Sequence, residues 1–547
     1  MKLSIQFILF LFCIVNFGIC YGQSIQENEI RKVDSVIHNY AQENTPGMAV
    51  GIIREGKVIY KKMYGMANLE DRIPIKDSTA FDIASISKQF TAFVALLAEQ
   101  EGKLSLNDDI RKYLPELKHL PYKITIRQLA NHTHGLPDFT SIKRLQGFGD
   151  EFKVTNAEAV KTVLAIRSIN FSPGQQYSYN NTGFMLLAEI LHRIYKKEFH
   201  EILKEYIFKP LQMNHTMVID DPEKIIPNKA ESYQEKHGTF FRYPLGQMEN
   251  GSSNIFTTLN DLCIWAINFQ KPIVGSREIY NKMQQNTLLT TGEKIEYGLG
   301  LQTGKYKGLD IVFHGGGTAG YRAYILHIPA YNLSIVLAGN KSVFDGLLIA
   351  YKLVDLFLGD QETLPPMPKK TSYTPIELKN FEGVYEINPG NYLEIISDGK
   401  NLYQKGDKVP FAMIGDNKFG IPAIPTASLT FHSGSLKFSI GDFVFNSKKI
   451  ALKFIGEEVK LDLNQFTGYY KNEEFNIIYQ LFIEGNKLVA RHPVNRDVRL
   501  YPLSSKKLYS LKSFFGQLDF KYDKKNKISG FMLSGGNISN VEFKKIK

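Results

Sequence analysis

Cysteine is nearly missing from this 547-residue chain: there are three, and two of them, Cys13 and Cys20, fall in the amino-terminal apolar stretch. Cys263 is thus left alone in the body of the protein, where no intrachain disulfide can form. Long apolar runs are also scarce. The one at the amino terminus, Leu3 to Ile19, is broken by Gln6 and Asn16 and is short for a membrane span. It follows Lys2 and precedes Cys20-Tyr21-Gly22, so it reads as an export leader, residues 1–22, cut after Gly22. A lipid on Cys20 is the less favoured alternative, because Ile19 is larger than a lipoprotein signal prefers. Charge of one sign is not concentrated anywhere. The 66 Lys and Arg against 55 Asp and Glu give +11, or +10 once Lys2 is removed, with no dense basic tract, so no nucleic-acid partner is expected. No Gly-x-Ser-x-Gly elbow occurs, which removes the α/β-hydrolase nucleophile. Gly315-x-Gly317-x-x-Gly320 matches a dinucleotide pattern, but Tyr321 to Ile328 after it is strand-like and supplies no helix end for a pyrophosphate. His132-x-His134 has no third ligand spaced nearby. No cofactor and no metal is expected.

What is present begins with Ser85-Ile86-Ser87-Lys88. Phe90, Phe93, Val94, Leu96 and Leu97 come next without Gly or Pro until Gly102, so the spacing predicts a largely buried helix with Ser85 in its first turn. Residues three apart share a helix face. A hydroxyl at the positive end of the helix then has an ammonium one turn behind it, and desolvation favours the neutral, basic form of that Lys. The pattern alone is common. Two further stretches add weight: Tyr179-Asn180-Asn181 after the turn Ser172-Pro173-Gly174, opening the apolar helix Phe184 to Ile190, and His314-Gly315-Gly316-Gly317 between two apolar strands.

Those three elements, in that order, resemble the penicillin-recognising serine hydrolases in their class C β-lactamase-like branch. The likeness extends to Phe81 through Thr91, to Gly102 through Asp109 with Tyr113-Leu114-Pro115, and to Thr125 through Leu129. It continues in His132 through Pro137, with His134 where a Ser is usual, and in Tyr297-Gly298-Leu299-Gly300, covering roughly residues 30 to 355. The resemblance implies an α+β fold, an antiparallel sheet flanked by helices beside an all-helical lobe, with the site in the cleft between. It also implies roles. Ser85 would attack an acyl carbonyl, with Lys88 or the Tyr179 phenol as the base, and Asn181 would hold the Lys and the substrate amide. The Gly315–Gly317 run would let a strand approach the substrate, Gly316 included, with the N–H groups of Gly317 and Ser85 forming an oxyanion hole. His314 stands where β-lactamases usually carry Lys. An imidazole is a weaker cation for a substrate carboxylate, so D-aminopeptidase, DD-peptidase or esterase activity is favoured over β-lactamase activity.

Residues 361–373, with Pro365, Pro366 and Pro368, read as a stiff linker, and the chain beyond them has the short alternating runs of all-β structure. The domains expected are 1–22, the leader; 23–360, the hydrolase; the linker 361–373; and two β modules, 374–457 and 458–547. The modules rest on a repeat: Leu378-Lys379-Asn380-Phe381-Glu382-Gly383-Val384-Tyr385 returns as Leu463-Asn464-Gln465-Phe466-Thr467-Gly468-Tyr469-Tyr470. They resemble the lipocalin-like barrels appended to some D-aminopeptidases, and a chain ending near Gly359 is expected to stay folded without them. The protein is read as an exported, periplasmic or secreted serine hydrolase that forms an acyl-enzyme on small peptide, amide or ester substrates. Cell-wall peptides containing D-amino acids are favoured. A silent envelope-binding protein and an acyltransferase are the alternatives, and oligomeric state is left open.

Overall fold

The computed structural model describes residues 27–149, 152–358, 372–388, 390–405, 409–421, 424–440, 443–450, 461–510 and 512–546. The leader with Cys20, and all but the end of the proline-rich linker, lie outside the described residues.

A six-stranded antiparallel sheet forms the base of the first domain, in the order Gln302–Tyr306, Leu309–Thr318, Tyr321–Ile328, Leu333–Gly339, Met48–Arg54, Lys57–Tyr64. Its central strands are apolar along most of their length and buried on both faces, because helices cover each side. The terminal helices Glu27–His38 and Gly346–Leu358 close one face over Val33, Ile37, Ile335 and Leu353. Helix Leu259–Gln270 closes the other, with Thr258 capping it through the Asp261 N–H. Cys263 is buried in that helix, with its sulfur against Gly51 of the sheet, the packing role its apolar surroundings predict.

Beside the sheet lies a lobe of short helices, Ile126–Ala130, Phe139–Leu145, Asn156–Leu164, Thr182–Tyr195 and Phe199–Leu203. Helix Ser87–Gln100 runs between the two parts and is buried almost throughout. Phe90 stacks on Trp265 at 4.2 Å between ring centroids, and Phe93 meets the same indole edge-on. Removing either ring would cost about 3–5 kcal/mol, so the helix is firmly packed between the two parts.

Two eight-stranded antiparallel units come after this domain among the described residues. The strands between Gly383 and Ile450 form one curled sheet whose ends approach at the Leu402–Phe411 bridge, and those between Gly468 and Lys545 close into a barrel. The repeated motif has one physical job in both. Gly383 and Gly468 take positive φ, 148° and 138°, where a side chain is disfavoured. Two residues on, Tyr385 donates its hydroxyl to the Phe381 carbonyl and Tyr470 donates to the Phe466 carbonyl, each at 2.8 Å.

The two modules attach differently from each other. The first has its own apolar core around Tyr385, Ile395, Phe419 and Leu429. The barrel's core, including Tyr479, Phe515 and Phe543, is continuous with that of the helical lobe. Glu474 accepts from the Arg167 N–H, the Ser168 N–H and the Ser168 hydroxyl at 2.6–3.0 Å, and Tyr479 donates to the Leu145 carbonyl. Among the described residues no helix is long and apolar enough to cross a membrane.

Candidate active site

Ser85 lies in a 3-10 turn, Ala84–Ile86, just ahead of helix Ser87–Gln100. Asp82 shapes that turn by accepting the Ala84 N–H at 2.6 Å. Ala84 adopts φ 46°, a left-handed conformation that costs an L-residue about 1–2 kcal/mol. The strand Leu309–Thr318 packs directly on the turn. A Cβ on Gly316 would sit 2.1 Å from the Ile83 carbonyl oxygen, so only glycine fits there. Gly317 faces a looser neighbourhood and is exposed to the cleft.

Lys88 is fully buried, one turn behind Ser85. Its Nζ lies 3.0 Å from Ser85 Oγ, 2.9 Å from Asn181 Oδ1 and 3.0 Å from the Ser252 carbonyl oxygen. Burial pushes its pKa down to about 7, against the pull of the nearby Glu249 and Asp138 carboxyls. The Tyr179 ring covers the amine, with its centroid 4.9 Å from Nζ. Asn181 bridges onward, donating Nδ2 to Glu249 Oε2 at 2.6 Å, while its own N–H donates to Asp138 Oδ1 at 2.9 Å. Ser85, Lys88, Tyr179, Asn181 and the His314–Gly317 segment therefore converge from three separate elements.

His314 is buried and neutral, its pKa pushed down to about 3 by desolvation and the Lys88 charge. Both ring nitrogens are engaged. The Gly315 carbonyl, which can only accept, lies 2.7 Å from Nδ1, so Nδ1 carries the proton and Nε2 accepts from the Tyr297 hydroxyl at 3.1 Å. His132 completes the chain: its Nδ1 accepts the Asn180 N–H, and its Nε2 donates to Tyr297 at 3.1 Å. This wire ties the strand to the Tyr179 loop. It leaves His314 without the charge a substrate carboxylate would seek. His134 packs instead beneath helix Thr182–Tyr195, its Nδ1 accepting the Leu136 N–H and its Nε2 close to Gly183.

The cleft these residues open into measures about 1580 Å³ and takes lining from every part of the chain. Tyr177, Tyr243 and Arg322 come from the first domain, Lys437 and Lys448 from the first module and Asn537 from the barrel. Sequence reasoning missed Asp138, Glu249 and Asn537: Asp138 follows directly on the His132–Pro137 block and reads there as an ordinary helix cap, and Glu249 and Asn537 lie in polar turns with no motif context to mark them.

Residues 33–355 match the Beta-lactamase family. A D-aminopeptidase from Gluconobacter oxydans (strain 621H) is 29% identical over 296 residues, 54% of this chain and 56% of that protein. The chain thus spans little more than half the length of that relative. Penicillin-binding protein 4* from Bacillus subtilis (strain 168) is 24% identical over 406 residues, 69% of this chain and 88% of that one. In fold, the chain is similar to the octameric penicillin-binding protein homologue from Pyrococcus abyssi, with a TM-score of 0.53 at 23% identity over 86% of this chain and 97% of that one. With more than half of its length matched in the part that carries Ser85, Lys88, Tyr179 and His314, the chain belongs to the beta-lactamase family.

Proposed function

We propose that this protein is a serine hydrolase working through an acyl-enzyme on peptide, amide or ester bonds, with D-amino-acid-containing peptides as favoured substrates. One observation carries the reading. Of the three partners of Lys88 Nζ, the Asn181 Oδ1 and the Ser252 carbonyl can only accept. A neutral amine has two N–H bonds for those two, and its lone pair is then left pointing at Ser85 Oγ, 3.0 Å away. That is the arrangement of a base poised to take the serine proton.

The proposed steps are these. Ser85 Oγ bonds to the acyl carbon as its proton passes to Lys88, and the N–H groups of Ser85 and Gly317 receive the oxyanion. Collapse breaks the bond to the leaving group, which takes up the proton from Lys88 by way of the Tyr179 phenol, leaving the acyl-enzyme. Water then attacks with the same groups in reverse roles. The neutral His314 favours small esters and D-amino-acid amides over penicillins, whose carboxylate seeks a cation. The names of the D-aminopeptidase and penicillin-binding relatives support this substrate class. We further propose export, with cleavage after Gly22, a hydrolase domain at 23–360, and modules at 374–457 and 458–547.

The test is covalent labelling with a fluorophosphonate, followed by peptide mass mapping and product analysis with and without an amine acceptor. The label should appear on Ser85 and vanish in Ser85→Ala, with turnover lower by several orders of magnitude. Undiminished turnover in that variant sinks the mechanism, transfer to the amine in place of hydrolysis makes the protein an acyltransferase, and failure to label makes it a binding protein.

A further inference from the structure

Behind the Ser85–Lys88 pair sits a buried carboxyl group to which the proposed chemistry gives no role. Glu249 is only 8% exposed, in the loop ahead of the Gly251–Asn254 turn. Its Oε2 accepts from Asn181 Nδ2 at 2.6 Å and from the Ser252 hydroxyl at 3.2 Å. Its own N–H is held by Asn254 Oδ1. Both neighbours it grips, Asn181 and Ser252, are the residues whose carbonyl oxygens bind Lys88.

The consequence is directional. A carboxamide between an ammonium or amine donor and a carboxyl acceptor has one favourable orientation. With Nδ2 on Glu249, Oδ1 must face Lys88, and the two N–H bonds of a neutral amine are directed away from Ser85. Were Asn181 turned over, its NH2 would meet Lys88 as donor against donor, and the lone pair would be drawn off Ser85.

We propose that Glu249 is the positioning residue of this site: it locks the Asn181 carboxamide on Lys88, and its charge sets the pH at which Lys88 becomes a base. The inference rests on the reading of Ser85 as nucleophile with Lys88 as its base. The charged and titratable groups around the carboxyl are few. Lys88 and Asp82 face it from the nucleophile segment, and Asp138 faces it from the loop before Phe139–Leu145, with Arg144 beyond. His132 and His314, on the far side of Lys88, are held neutral by burial. Burial and the Asp138 charge push Glu249 up to about 7, against the pull of Lys88, so carboxyl and amine titrate over one range. An anionic Glu249 holds the proton on Lys88. Removing the charge should therefore let Lys88 become neutral at lower pH.

The experiment is the rate of Ser85 labelling by a fluorophosphonate, followed against pH in the full-length chain and in Glu249→Gln, with thermal unfolding as a folding control. Glutamine keeps an acceptor for Asn181 and removes the charge. The acid limb of the profile should move to lower pH by about 1–3 units, the usual effect of a nearby opposite charge. A limb that stays in place or moves up overturns the inference while leaving the hydrolase reading intact. If the unaltered protein is not labelled at any pH, that reading fails and takes the inference with it. Should Glu249→Gln not accumulate folded, Glu249→Asp carries the test. The shorter side chain keeps the charge but draws back from Asn181, so the limb should stay while the maximal rate falls about tenfold, the loss of one charge-assisted hydrogen bond. An unchanged maximal rate in that variant also overturns the proposal.

Discussion

Asn537 gives the sharpest test of whether the barrel takes part in the chemistry. It sits in the turn between strands Ile528–Gly535 and Ile538–Lys545, at the rim of the cleft. Its main chain is anchored to the helical lobe: the carbonyl accepts from the Asp138 N–H at 3.0 Å and from Asn170 Nδ2 at 2.9 Å, and the N–H donates to Ser141 Oγ at 3.2 Å. Its side-chain Nδ2 donates to the Tyr179 carbonyl at 2.9 Å. Asn537→Ala keeps the main-chain bonds and removes the one to Tyr179. A neutral hydrogen bond contributes about 0.5–1.5 kcal/mol net. Expressed fully in the transition state, that is a fall of about two- to twelvefold in kcat/KM, at about 1.4 kcal/mol per tenfold. Asn537→Asp should be slower still, because a carboxylate would face the Tyr179 carbonyl as acceptor against acceptor. The assay is turnover of a chromogenic D-amino-acid anilide with thermal unfolding in parallel, where Tm should move by a few degrees at most. An alanine variant as fast as the unaltered protein, or an aspartate variant as fast as the alanine one, refutes the reasoning.

Four other outcomes are expected from the same contacts. Turnover should rise with pH through about 7, because the depressed Lys88 pKa makes the amine increasingly neutral above that point; a rate that falls across this range in a pH profile would remove Lys88 as the base. Lys88→Ala and Tyr179→Phe should each cost turnover heavily, and together much less than the sum, since they serve one proton relay; full additivity in the double-mutant cycle would assign them to separate steps. Short acyl esters and D-amino-acid amides should be hydrolysed far faster than penicillins and cephalosporins, and a cephalosporin turned over as fast as the best ester would reverse that ranking. Tyr385→Phe should destabilise the first module by about 0.5–1.5 kcal/mol with little change in Ser85 labelling, whereas Tyr470→Phe should also slow labelling, because the barrel's core continues into the helical lobe; equal effects of the two on labelling would contradict that difference in attachment.

The parts of this protein that were legible in its sequence are those in which spacing along the chain and position in space coincide. Ser85 and Lys88 are one helical turn apart, and their contact follows from helix geometry once the apolar pattern of Phe90 to Leu97 is read. The Leu-x-x-Phe-x-Gly-x-Tyr repeat is equally local, since each tyrosine hydroxyl returns to a carbonyl four residues back. His314 could be placed on its strand but not given a charge state. An imidazole in the place of a lysine reads as a weak cation, whereas the fold buries it and occupies both of its nitrogens. Glu249 could not be found at all, because Met248-Glu249-Asn250 has the polarity of any surface loop and is buried only when the helical lobe closes over it.

The docking of the barrel shows why a linker and a repeat did not foretell its attachment. Most of the bonds that fasten it to the catalytic lobe have a main-chain atom on at least one side: the Leu145 carbonyl, the Arg167 and Ser168 N–H groups, and the Asp138 N–H against the Asn537 carbonyl. Every residue carries the carbonyl, and every one but proline the N–H, so side-chain identity does not mark them. The same economy places the turn Gly535–Asn537 against Asp138 and Tyr179, the two loops that hold Asn181 and cover Lys88. A chain ending at Leu358 would keep Ser85, Lys88, Tyr179 and His314 yet leave the Asp138 N–H, the Tyr179 carbonyl and the apolar face shared with Phe515 and Phe543 without these partners. Such a chain should be less stable and label Ser85 more slowly than the full-length protein, in proportion to how far those two loops depend on the barrel for their position.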